Sequence, residues 1–226
     1  MPAEQSLKIP VTQEQIAAAQ EMWQSFQGQY PTDQVLEMAK KKFPKNTDPN
    51  SVLLKVALLD NLYATKVYYL YEAAEHVVKV FKSTAHRPGR ELVVELSQVQ
   101  ANGKTYRLVS FASKYIHFYH DASVFIFDKY AAKALAHHYD FPSRQIEGQI
   151  NRWRESYDEY CQTIDDLLKR SRATSAQAAE IDHYLWLAGN WVTWQEHGDK
   201  AKISKPLKEF FKREDMAQRL KLLSVD

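Results

Sequence analysis

Residues 106–135, YRLVSFASKYIHFYHDASVFIFDKYAAKAL, decide how the rest of the chain is read. The spacing predicts an amphipathic helix, a short break at HDAS, and a second helix that opens on an acidic residue. On the first helix Ser110, Lys114, His117 and Asp121 recur at i, i+4, i+7 and i+11 and share one face, while Phe111, Tyr115, Phe118 and Tyr119 supply the apolar one. The polar stripe therefore reads as a surface or the wall of a cleft. Asp128 lies in FIFDKYAA, beside Phe125, Ile126 and Phe127. A carboxylate in such company is paired, caps a helix, or is used chemically.

Working outward, 226 residues with 45% hydrophobic and 12% aromatic side chains suffice for one large domain or two small lobes. Six Gly and eight Pro are few, and apolar residues recur at helical spacing almost throughout, so the expected class is all-α. The single cysteine, Cys161, excludes an internal disulfide framework and a zinc ribbon and fits a reducing cytoplasm. No apolar run approaches the roughly 18 residues that span a bilayer. The start MPAEQSLKIP lacks the order of a signal peptide, so a cytoplasmic protein with no membrane partner is expected; a monomer is expected as well. Thirty Lys and Arg against 28 acidic residues leave a net charge of +2, which by itself says nothing about nucleic acid.

In chain order, TQEQIAAAQEMWQSFQ from Thr12 opens on a capping box of Thr12 with Gln15, and a short helix, VLEMAKKKFP, ends at Phe43-Pro44. Ser51 begins an apolar run that reads as one helix of about 30 residues, the spine of the core. After the break at AHRPGR, ELVVELSQVQ reads as a helix whose end, Asn102-Gly103-Lys104, is a C-cap and tight turn into the helix from Tyr106. SRQIEGQINRWRESYDEYCQTIDDLLKRSR reads as one long helix from Ser143, and SAQAAEIDHYLWLAGNWVTW as another. The tail clusters Lys200, Lys202, Lys205, Lys208, Lys212 and Arg213 with Phe210 and Phe211, either to track phosphates and stack on bases or as a solvated amphipathic helix.

A phosphate-binding glycine loop, a G-x-S-x-G elbow and an H-E-x-x-H helix are all absent. His117 and His120 lack companions for a metal, and no metal or cofactor is expected. What remains is helix, glycine turn, helix with Ser110 and Lys114, then Asp128. This arrangement resembles the helix-hairpin-helix DNA glycosylases, especially those built like the small prokaryotic 8-oxoguanine glycosylases. The resemblance runs over about residues 51–135 and implies a two-lobed glycosylase-like fold as a single domain over 1–226, with the hairpin and catalytic segment at about 90–135. It implies DNA as partner, gripped by Gly103, Lys104 and Arg107, and Asp128 as the catalytic carboxylate. Ser110, 18 positions before Asp128, stands where that family places a Schiff-base lysine, and Lys114 lies one turn later. A second glycine usual in the hairpin is missing as well.

Without the lysine, a carboxylate that stabilises an oxocarbenium ion and orients water suffices for base release, so the implied enzyme is a monofunctional hydrolase acting in repair or in defence against modified phage DNA. Asn61, Tyr63 and Lys66 are the candidates for a base pocket, since a flipped base takes an aromatic platform and amide hydrogen bonds. The alternatives are a helix-hairpin-helix module that binds DNA without catalysis, and a helical interaction protein of a defence system. In either of these Asp128 is an ordinary helix cap.

Overall fold

The computed structural model describes residues 7–84, 86–171, 173 and 175–225. The protein is all-α in class, 71% helical, with twelve α-helices and one two-stranded sheet among the described residues. Among the described residues no helix is long and apolar enough to cross a membrane. The helices are α1 (Gln13–Gln29), α2 (Thr32–Lys42), α3 (Pro49–Tyr63), α4 (Leu70–Thr84), α5 (Gly89–Leu96) and α6 (Val109–Tyr119), with strands β1 (Gln98–Ala101) and β2 (Lys104–Arg107) between α5 and α6. Then follow α7 (Lys129–His138), α8 (Ser143–Glu155), α9 (Tyr157–Arg170), α10 (Ala178–His197), α11 (Lys205–Phe211) and α12 (Ala217–Leu222). The chain divides into two compact units, one of Tyr30–Phe127 and one of Met1–Gln29 with Asp128–Asp226.

In the 30–127 unit α6 is the central element, packed by α2, α3 and α5, with Phe111, Ala112, Tyr115 and Ile116 fully buried. This corrects the reading of its polar stripe as a surface, because Lys114 and His117 are buried too. With three helices around it, α6 has little face left for water. The expected 30-residue spine is also corrected. α3 ends at Tyr63, Ala64 and Lys66 adopt left-handed φ values of 47° and 60°, and α4 restarts at Leu70. Asp60 holds the turn, its Oδ1 accepting from the Thr65 hydroxyl at 2.8 Å and the Val67 amide at 2.9 Å. Those two local hydrogen bonds replace the helical ladder where neither Gly nor Pro marks a break.

The largest correction falls at 98–107. No helix hairpin forms there: Asn102 and Gly103, at φ 49° and 70°, make the two-residue turn of an antiparallel β-hairpin that pairs Gln98 with Arg107 and Ala101 with Lys104. Two successive positive φ values are what a type I′ turn requires, and Asn-Gly meets that need at least strain. The flanking alternation agrees with it, since Val99 and Ala101 are buried while Gln100 is exposed.

The other unit begins as expected, with Thr12 and Gln15 exchanging cap bonds of 2.9 and 3.1 Å ahead of α1. Against α10, Trp23 stacks on His183 (4.3 Å) and meets Trp186 edge-on (5.4 Å). α7 and α10 approach so closely that a Cβ on Gly189 would lie 1.8 Å from the Tyr130 carbonyl oxygen. The long helix expected from Ser143 is two, because Ser156 leaves the helix and caps α9 by accepting from the Glu159 amide at 3.4 Å. In the tail, Phe210 and Phe211 are core residues against Phe26 and Trp191. Lys208 and Lys212 are drawn onto Asp199, and Arg213 onto Asp215, so this segment holds its own aromatics and much of its charge.

Candidate nucleic-acid interface

The turn between α3 and α4 and the strand β2 meet at a pair of tyrosines. Tyr69 and Tyr106 stand with ring centroids 5.1 Å apart, and the Tyr106 hydroxyl donates to that of Tyr69 at 3.3 Å. This hydrogen bond is the chief cause that raises the Tyr106 pKa above its ordinary value. On either side of Tyr69 the chain presents Tyr68 and Tyr71, 83% and 72% exposed, and Lys66 is exposed at the preceding left-handed turn. In β2, alternation puts Lys104 on the same face as Tyr106, the face shared with buried Val99 and Ala101, and sends Arg107 with Thr105 to the other. Residues 61–71 and 97–109 contain Lys66, Lys104 and Arg107 and not one acidic side chain. The nearest, Asp60, is engaged in the turn, and Glu72 follows Tyr71.

The expected base-pocket residues are dispersed. Tyr63 is spent on packing, its ring 5.3 Å from Phe118 and its hydroxyl on Asp33. Asn61 is exposed on α3, and Lys66 alone joins the tyrosine surface. Of the expected DNA-gripping residues, Gly103 shapes the turn, Lys104 lies on the strand face of Tyr106 and Arg107 on the opposite face. Sequence reading missed Tyr68, Tyr69, Tyr71 and Tyr106. Their signal was present in KVYYLY, three tyrosines in four positions after a lysine, but an unbroken helix had absorbed them into the core.

The remaining candidates lie on α6 and at the head of α7. Lys114, 3% exposed, donates to the Ser110 hydroxyl at 2.8 Å, one turn back along the helix. His117 is buried with Nδ1 2.8 Å from the Val124 carbonyl, which can only accept, so Nδ1 carries the proton. Burial lowers its pKa, and that of His120, which lies edge-on to Phe81 at 5.1 Å. Among the described residues no three His, Cys, Asp or Glu side chains gather as a metal-holding group. Asp128, half-buried, is the N-cap of α7 and accepts from the Tyr130 amide at 2.8 Å. It belongs to one compact unit, and Ser110 and Lys114 to the other.

Residues 13–123 match a family model, HI_0787_N, described as an N-terminal domain. The match spans α1 to α6, just under half of the chain, and its description names no activity. No curated protein and no solved structure matches the chain.

Proposed function

We propose that the protein binds DNA through the surface formed by Lys66, Tyr68, Tyr69 and Tyr71 with Lys104 and Tyr106 of β2. The supporting observation is the exposure of Tyr68 and Tyr71 beside Lys66, with no acidic side chain in residues 61–71 or 97–109 and Glu72 and Glu75 following on α4. Exposed rings three residues apart offer stacking faces, and the cations beside them favour an anionic ligand. Lys66→Glu with Lys104→Glu should reduce binding of a DNA oligonucleotide by 10-fold or more, on the order of two lost phosphate contacts and two repulsions. Unchanged binding of that double variant sinks the reading.

A second reading, hydrolytic release of a base from DNA, is favoured by Asp128. It stands at the head of a helix, where the glycosylase resemblance places the carboxylate that meets the developing oxocarbenium charge. Asn caps a helix as well as Asp does, and Asp128→Asn should therefore leave stability within about 0.5 kcal/mol while abolishing base release. Release by the Asn variant at the wild-type rate, or none by wild type from damaged, mismatched or phage-modified DNA, leaves Asp128 as a cap. Lys114 is buried with its amine on the Ser110 hydroxyl, so no lysine–sugar adduct is expected, and borohydride should trap none; a trapped adduct that disappears in Lys114→Ala would overturn this.

A further inference from the structure

We infer that the DNA taken by this surface is single-stranded, with unpaired bases stacking on Tyr68 and Tyr71, an inference that rests on the DNA-binding reading above. A duplex offers phosphates and groove edges but keeps the π-faces of its bases in the stack, and exposing them requires unstacking. Cations alone serve duplex and single strand alike. Two tyrosines exposed over more than two-thirds of their surface are suited to a strand whose bases are already unstacked.

The neighbouring rings and cations give such a strand a defined path. Tyr69 and Tyr106 lean on one another at 5.1 Å where the turn meets β2, with Lys104 on the same strand face as Tyr106. From Tyr71 the same face of α4 continues through Glu75 to Lys79 and Lys82, at i+4, i+8 and i+11. Lys79 and Lys82, with Pro49, Glu75, Val78 and Ser83, line an open groove of about 510 Å³. Two lysines against one glutamate keep that groove cationic, in line with a backbone that runs from the tyrosines along α4. Base-on-aromatic contact is indifferent to base identity, so little sequence preference accompanies it.

Fluorescence anisotropy with a labelled thymidine oligonucleotide of about 20 nucleotides, its duplex counterpart and the matching uridine strand tests this. The single DNA strand should bind at least about 10-fold more tightly than the duplex. Tyr68→Ala with Tyr71→Ala should weaken single-strand binding roughly 10-fold for each ring removed and leave duplex binding unchanged. Both rings are exposed, so the double variant should melt at the wild-type temperature, which separates lost stacking from lost folding. Equal or tighter binding of duplex, an unaffected tyrosine variant, or a uridine strand preferred over thymidine each overturns the inference. Absence of binding to every oligonucleotide at about 50 mM salt brings down the DNA-binding reading itself.

Discussion

Lys55 shows how much a single side chain constrains the 30–127 unit. It is fully buried, with Nζ 2.8 Å from the Asn46 Oδ1, 3.4 Å from the Lys45 carbonyl and 5.3 Å from the centre of the Tyr119 ring. Burial lowers its pKa to about 8, against the opposing pull of Asp48. The unfolded chain therefore holds more protons than the folded one between about pH 8 and the ordinary lysine value of 10.5, and stability rises with pH across that window. Tyr115 and Tyr119 act the other way, since burial raises both and the folded chain keeps protons that the unfolded chain loses above pH 10. The melting temperature should accordingly climb from pH 8 to about 10 and then fall. Lys55→Met should remove the climb and gain about 1–4 kcal/mol at neutral pH, where the buried charge costs most. Asn46 Oδ1 keeps the Tyr115 hydroxyl as donor at 3.0 Å, so the substitution orphans no acceptor there. A climb that persists in Lys55→Met would assign the titration to another group.

Among the elements, the β-hairpin supplies Tyr106 and Lys104 to the proposed DNA-binding surface. A Cβ on Gly103 would meet nothing within 4 Å, so substitution there costs backbone conformation alone. At φ 70° Gly103→Val should destabilise by about 1–2 kcal/mol, whereas Gly103→Asn, which tolerates the left-handed region, should cost less. DNA binding should follow the same order, weaker in Val than in Asn. Wild-type affinity in Gly103→Val would show that the hairpin is no part of the interface. One of the breaks that periodicity overlooked was legible as a cap: Ser156 with Glu159 three residues on opens α9, just as Asp48-Pro49 opens α3, with Asp48 accepting from the Ser51 amide at 2.8 Å. The break at Ala64 was not, because it depends on Asp60 folding back over its own turn.

On the scale of the whole molecule, a net charge of +2 gives little long-range attraction for a polyanion. Salt dependence should therefore report local contacts. Lys66, Lys79, Lys82 and Lys104 together predict a slope of log K against log salt near about −3 for a single strand, and Lys66→Ala should make it shallower by roughly 0.7. A flat response between about 50 and 200 mM salt would be incompatible with phosphate binding. Lys208, Lys212 and Arg213 of the tail contribute little to that slope, since Asp199 and Asp215 already hold them.

By itself the sequence determined the all-α class, the α1 cap and the helix that Asp128 opens, because each follows from composition, periodicity or a cap within one turn of chain. Asn102-Gly103 between alternating residues was also a sufficient local sign of a β-hairpin, overruled in the reading by the helical pattern on both sides. Only the tertiary structure decided which aromatics are core and which are surface. Phe210 and Phe211 sit beside lysines and are buried, while Tyr68 and Tyr71 sit in an apolar run and are exposed. Side-chain type and spacing are the same kind of signal in both places. What separates them is whether another element covers the ring, which depends on residues distant in the chain.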